Sequence, residues 1–282
     1  MVRETLSCFL NRPGPVVRLH LSRVRGSSPR EAGTQMFVTA EALFGTIGGG
    51  QLEHRAIDAA RQMLRAGDMA RHLDLPLGPE IGQCCGGRVE VTLTRMSRSD
   101  RQKAVEADMA AQDAQPAVYI LGAGHVGRAL ARQFQHLPVR TILIDQRAEE
   151  LSLSDAAVET RHSAIPEFDI LTAPAGSAFI VLTHDHGLDF LLASAALERR
   201  DAAYVGLIGS ATKRVKFRNW CHTHCDGLSI APLICPIGAA GNRDKRPAVI
   251  ATFVVAEVIA ALTSEPAEDH PERGTAPHIA AQ

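Results

Sequence analysis

Val118-Tyr-Ile-Leu-Gly-Ala-Gly-His-Val-Gly127 is the stretch whose reading decides the fold. Four apolar residues, a length suited to a buried strand, run into Gly122-x-Gly124-x-x-Gly127. The residues from His125 to Leu137 then read as a helix. The glycine pattern alone is a weak signal. Its context is stronger, because a second strand, Arg140 to Ile144, leads into Asp145 about 20 residues on. Glycines at these spacings allow a tight strand-to-helix turn. They also let a phosphate approach the helix N-terminus, where backbone N–H groups lack intrahelical acceptors. A carboxylate at Asp145 can accept hydrogen bonds from a ribose or similar diol. The residues alone leave open a nucleotide-like ligand, a pterin phosphate, or a turn that holds nothing.

Working outward toward the C-terminus, strands are expected at Ala156 to Thr160, Ala178 to Thr183 and Ala203 to Ile208, with a helix near Gly187 to Arg200. Short apolar strands alternating with helices predict an α/β fold, a Rossmann-like doubly wound parallel sheet over residues 116–263. His184-Asp185-His186 follows a strand at the sheet edge where such folds bind ligands. It reads as an acid/base cluster, a metal site, or a polar loop in which Asp185 caps the next helix. Pro247 to Leu262 is apolar but short for a membrane span and contains Glu257, so a buried helix is expected, its carboxylate satisfied internally.

Toward the N-terminus the period changes from helical to two. Val16 to Val24, Arg71 to Leu77 and Arg88 to Thr94 read as strands, and Gln35 to Thr39 with Leu43 to Ile47 as a hairpin. Gly48-Gly49-Gly50 leads into a helix with Leu52, Ala56, Ala59, Ala60 and Met63 on one face. These predict a small mixed α+β domain over residues 1–95 with a mainly antiparallel sheet. Residues 96–115, polar and without a strand signal, read as a linker, partly helical, and residues 264–282 as a disordered tail.

The 282 residues suffice for two domains, and 45% hydrophobic with 22% charged residues is the balance of a folded globular chain. A net charge of -1 argues against a general nucleic-acid binder. No signal-peptide pattern opens the sequence, so a cytoplasmic protein without membrane association is expected. Free thiols are then expected of the six cysteines. Cys84 and Cys85 adjoin in the glycine-rich Gly82-Gln83-Cys84-Cys85-Gly86-Gly87, where a mutual disulfide would be strained. Cys221 and Cys225 would share a helix face and could bind zinc, but nothing supplies a clean second pair, so incidental clustering is expected.

Several motifs in order carry a family resemblance. Arg25-Gly-Ser-Ser-Pro-Arg30 with Gly33 and Met36, Gly45-Thr-Ile-Gly-Gly-Gly50 with Glu53, and Gly82-Gln-Cys-Cys-Gly-Gly87 resemble the N-terminal signature of the XdhC/CoxI family. The second half resembles the Rossmann domain of the same proteins through Gly122-Ala-Gly-His-Val-Gly127, Asp145-Gln-Arg147, Thr183-His-Asp-His186, Tyr204-Val-Gly-Leu-Ile-Gly-Ser210 with Lys213-Arg214, and Cys235-Pro-Ile-Gly238. The resemblance covers roughly residues 5–262. In two places the chain departs from the family. Asp145-Gln146-Arg147 stands where members often carry two acidic residues before the arginine, and Gly241 to Pro247 differs from the usual form.

The resemblance implies an accessory protein of xanthine dehydrogenase or a related molybdenum hydroxylase. Such a protein holds the molybdenum cofactor (molybdopterin form, with a dinucleotide form conceivable), works with a cysteine desulfurase that sulfurates the metal, and delivers the cofactor to the apo-enzyme without catalysing a reaction. A homodimer is expected. On that reading Gly48, Gly49, Gly50, Gly122, Gly124, His125 and Gly127 present N–H groups to phosphate, with Lys213 or Arg214 supplying cations. Asp145, Arg147, His184 and Ser210 complete the set in the second half, and Gln83, Cys84, Cys85 and Gly86 that in the first. Cys84 and Cys85 would contact molybdenum, relay sulfur, or only pack in the turn. The alternatives are an NAD(P)-dependent oxidoreductase and a regulatory nucleotide sensor, both resting on the Rossmann loop alone.

Overall fold

The computed structural model describes residues 5–78, 86–239 and 244–263. The chain divides into two compact units, Met1–Ala111 and Gln112–Gln282. The expected tail, 264–282, lies outside the described residues.

The first unit begins with a short helix α1 (Leu6–Leu10), whose N-cap Thr5 accepts from Cys8 N. Its sheet consists of β1 (Val17–Arg25), β2 (Gln35–Val38), β3 (Leu43–Gly45), β4 (Ala70–Pro76) and β5 (Arg88–Arg95), in the order β3-β2-β1-β5-β4 with every pairing antiparallel. Period-two alternation sends Val17, Leu19 and Leu21 of β1 and Val89, Val91 and Leu93 of β5 to one face. Helix α2 (Gly50–Ala66) covers that face with Leu52, Ala56, Ala60 and Met63, all fully buried. Burying each such Leu or Met contributes about 1.5–3 kcal/mol. Gly67 ends the helix in the left-handed region, at φ 81.

Helix α3 (Arg98–Asp113) occupies most of the stretch expected as a linker. It has no fully buried residue, which is why no amphipathic signal announces it. Ala104 and Val105 nevertheless pack on the cluster of Leu6, Phe9, Leu10, Phe37 and Met96. The Arg101 guanidinium also donates to the carbonyls of Leu10 and Gly14, tying the helix to the end of α1.

The second unit alternates strand and helix: β6 (Ala117–Leu121), α4 (His125–Phe134), β7 (Arg140–Asp145), α5 (Ala148–Ser152), β8 (Glu159–His162), α6 (Pro166–Leu171), β9 (Ala178–Val181), α7 (His186–Glu198), β10 (Tyr204–Leu207), α8 (Ala211–His224), β11 (Leu233–Ile234) and α9 (Pro247–Thr263). The sheet is parallel, in the order β11-β10-β9-β6-β7-β8. Strand order reverses between β6 and β9, the position where doubly wound sheets bind ligands. Both strands are buried along their whole length. Tyr119, Leu121, Phe179 and Val181 face a core that includes Leu192 and Phe217, while Val118, Ile120 and Ile180 face another with Leu130, Phe134 and Val254. The fold is thus the predicted α/β architecture, a mixed N-terminal part followed by a Rossmann-like sheet.

One strand is displaced from its expected place. The strand expected at Ala156 to Thr160 pairs instead over Glu159–His162. Ala156 and Val158 pack against the core beside α4, and the polar edge strand is held by ion pairs of Glu159 with Arg140 and Arg161. α9 is the expected helix, with Ala251, Val254 and Val258 buried. Among the described residues no helix is long and apolar enough to cross a membrane.

Candidate functional site

The site in the second unit is built on the turn from β6 to α4. Gly122 has φ 126, and a Cβ there would stand 2.4 Å from the Leu182 carbonyl oxygen. A Cβ on Gly127 would lie 1.9 Å from the Gly122 oxygen. Both glycines therefore serve close packing at the strand-order reversal. Gly124 is different: nothing lies within 4 Å of its added Cβ. Gly124 is the N-cap of α4 and no side chain caps the helix, whereas Asp185 caps α7 and Ser210 caps α8. The first-turn N–H groups of α4 therefore have no capping side chain, as is also true of α2, α5 and α6. His125 opens α4 and is exposed.

Asp145, at the end of β7, is buried and fully engaged. Its Oδ2 accepts from Ala123 N at 2.7 Å and from Arg147 Nη2 at 3.1 Å. Its Oδ1 accepts from Arg147 N at 2.9 Å and Nε at 3.1 Å. Burial opposes the charge on Asp145, but the Arg147 fork and the two backbone N–H groups together hold its carboxyl below the usual range. Asp145, Gly122, Thr183 and His184 line one small cleft.

A second cavity, about 450 Å³, opens at the ends of β9 and β10, lined by Thr183, His186, Phe190, Ser210, Lys213 and Lys216 among others. Beneath it lies an ion pair missing from the sequence reading: Lys213 Nζ donates to Asp189 Oδ2 at 2.5 Å, and Thr183 N and Oγ1 donate to Oδ1 at 2.9 and 2.8 Å. Asp189 side-chain exposure is 1%, so its charge is tolerable only because it is paired. The available signal was Asp189 in the first turn of a helix already capped by Asp185.

Of the other residues assigned a binding role, Arg214 turns inward and donates to the carbonyls of Leu233 and Ile230, so its guanidinium serves the β11 approach. Ser210 Oγ accepts from Lys213 N. In the His184-Asp185-His186 loop, Asp185 accepts from Leu188 N at 2.7 Å, which is the capping arrangement. Glu257 accepts from Tyr204 Oη at 2.9 Å and Gly238 N at 3.1 Å, a satisfied carboxylate as expected. Burial, then the neighbouring Cys225, push the Cys221 thiol up to about 12. Among the described residues no group of three or more His, Cys, Asp or Glu could hold a metal ion.

In the first unit three sequence motifs converge. A Cβ on Gly87 would stand 2.1 Å from the Ser27 oxygen, and one on Gly48 would stand 2.6 Å from Pro29 Cγ. Gly86 N donates to Leu77 O at 2.9 Å and Leu77 N to Gly87 O at 2.7 Å. Gln83, Cys84 and Cys85 lie outside the described residues. Gly48, Gly49 and Gly50 all have positive φ and lead into α2. The Gly48 and Gly49 donors are used internally: Glu53 Oε2 accepts from Ile47 N and Gly49 N, both at 3.1 Å, and from Thr46 Oγ1, while Gly48 N donates to Thr46 Oγ1. The Glu53 carboxylate thus fills the place assigned to a phosphate.

The XdhC Rossmann domain family matches residues 118–258, and the XdhC and CoxI family matches residues 9–74. A crystal structure described as a xanthine dehydrogenase from Bacillus halodurans shares the fold with TM-score 0.76 at 17% identity, covering 94% of this chain and 97% of that one. YqeB, an uncharacterized protein of Escherichia coli (strain K12), is 27% identical over 261 residues. That alignment covers 86% of this chain and 42% of YqeB, so the chain spans about two fifths of that curated relative. With the strand-order reversal, the glycine turn and both halves of the chain matched, the protein belongs to the XdhC and CoxI family.

Proposed function

We propose that this protein is a carrier in the maturation of xanthine dehydrogenase or a related molybdenum hydroxylase. Its cargo is the molybdenum cofactor, received during sulfuration by a cysteine desulfurase and handed to the apo-enzyme. The observation that carries the reading is the α4 N-terminus, without a side-chain cap beside Gly122 and Gly124, in a chain of this family. Its N–H groups suit the phosphate end of such a cargo. The grip assigned to Gly48, Gly49 and Gly50 would require displacement of Glu53, and that assigned to Lys213 would compete with Asp189. Cys84 and Cys85 remain the candidates for the metal end, as ligands or as a sulfur relay. Within the carrier reading the protein binds, shields and releases, and a homodimer is proposed for its solution state.

A nicotinamide-dependent oxidoreductase fits less well. The four acceptor positions of the Asp145 carboxylate are taken by Ala123 and Arg147, so a ribose diol would have to displace an arginine fork.

The test is reconstitution of apo-xanthine dehydrogenase with unsulfurated molybdenum cofactor, a cysteine desulfurase and cysteine, with and without the protein. Activation is expected to depend on the protein and to fall with Gly124→Val, which obstructs the α4 N-terminus. Activation indifferent to the protein overturns the reading. Activation that needs the protein but survives Cys84→Ala and Cys85→Ala removes only the sulfur role.

A further inference from the structure

The first unit contains a cavity that the carrier reading does not use. It measures about 370 Å³ and lies between α3 and the sheet face turned away from α2, lined by Arg18, Gln35, Phe37, Phe44, Lys103 and Asp108 among others. Register builds its floor. Phe44 pairs with Phe37, Phe37 with Arg18 and Arg18 with Thr94, so one row across four strands sets two aromatic rings beside a guanidinium. Phe9 and Phe44 lie 5.6 Å apart and Phe37 and Phe44 6.4 Å apart, a tilted aromatic group. Gly33 and Gly45, two residues of the N-terminal signature without a role so far, line the same space. Gly45 has φ 82, and an added Cβ there would lie 3.1 Å from Gln35 O, so a side chain at this point of the wall would be strained.

The cations set the charge of the cavity. Among the described residues neither the Arg18 guanidinium nor the Lys103 ammonium has a hydrogen bond or ion pair. Asp100 feels both charges only at a distance, because its carboxylate is held by Ser97 N and Oγ at 2.9 and 2.7 Å. Asp108, whose own interactions are already made, is the acidic residue of the lining. Half-buried Arg18 above an apolar aromatic floor offers the bidentate donor geometry that selects a planar anion. We propose that this cavity is a second ligand site, which takes a small aromatic anion: the ring rests on Phe37 and Phe44, and the carboxylate or phosphate meets Arg18 and Lys103. The site is independent of the molybdenum-cofactor reading.

Calorimetric titration of the full chain with benzoate and with phenyl phosphate tests it, with benzyl alcohol and inorganic phosphate as controls. Saturable binding of at least one aromatic anion is expected, weakened about tenfold or more by Arg18→Gln, the loss expected for a charge-assisted hydrogen bond. Lys103→Gln, at an exposed position on α3 where folding is not at risk, is expected to weaken it in the same direction. Benzoate alone binding identifies a carboxylate site, and phenyl phosphate alone a phosphate site. Either result supports the proposal. No saturable binding of either anion overturns it, as does binding unchanged in both variants, or inorganic phosphate binding as tightly as phenyl phosphate.

Discussion

The Asp145 carboxylate accepts a hydrogen bond from the Ala123 backbone N–H at 2.7 Å, joining the end of β7 to the glycine turn after β6. Asp145 therefore shapes the loop that would grip a phosphate, with Arg147 closing over its other lone pairs.

Replacing it tests that role. Asp145→Asn loses the charge that holds Arg147 and is expected to cost about 2–3 kcal/mol at neutral pH, less than the cost of breaking a fully buried ion pair because Arg147 stays partly exposed. The folded-state pKa is depressed, so the contribution is fully present above the unfolded value of about 3.9 and is lost as pH falls through the folded value. Urea denaturation at neutral pH should separate wild type from variant, and the two curves should converge below about pH 4.

The three glycines of the turn should respond differently. Gly127→Ala meets backbone at 1.9 Å and Gly122→Ala at 2.4 Å, so each should unfold or severely destabilise the second unit. Gly124→Ala has open space and an ordinary φ of −65, so its melting temperature should stay within about 2 °C of wild type, as a change of a few tenths of a kcal/mol implies. Thermal melts followed by circular dichroism check all three.

Glu53 should behave as an internal stand-in for an anion. Glu53→Ala strands the N–H groups of Ile47 and Gly49 and the Thr46 hydroxyl, at an expected cost of about 1–3 kcal/mol. Glu53→Gln, which keeps an acceptor, should cost less. Amide hydrogen exchange at Ile47 and Gly49 should accelerate in the alanine variant, and equal exchange rates in both proteins would refute the assignment.

Asp189 and Lys213 should be strongly coupled. Lys213→Met leaves a buried carboxylate supported, among the described residues, only by Thr183 and should cost about 3 kcal/mol. Combining it with Asp189→Asn should recover part of that loss. A double-mutant cycle by chemical denaturation is expected to return a coupling of about 1–3 kcal/mol, and additivity would show the pair to be energetically idle.

Much of the architecture was legible because its signals are local. The β6 to α4 turn announces itself through glycines whose added Cβ atoms would collide with neighbouring backbone, a constraint visible in residue type alone. Helix α2 shows its buried stripe at helical spacing, and the Glu257 carboxylate in an apolar helix implied internal partners before Tyr204 and Gly238 were seen to supply them. Helix α8 was harder to see, since its apolar residues form no stripe and only Phe217 and Cys221 are buried. The strand after α5 lies later than its apolar residues suggest, because Ala156 and Val158 pack into the core beside it while its pairing residues are polar or charged.

By itself, then, the sequence determined the two-part α/β plan, the glycine turns and the family, all encoded by periodicity, residue size and backbone freedom over short spans. Tertiary structure alone decided which of the candidate grips is open. A carboxylate or a lysine has the same sequence signature whether it faces a ligand or a neighbour within 3 Å. Strand order brings Asp145 onto Ala123 and sets α7 beside α8 so that Asp189 meets Lys213, while Glu53 folds back on Gly49 within one helical turn; the N-terminus of α4 has no side-chain cap.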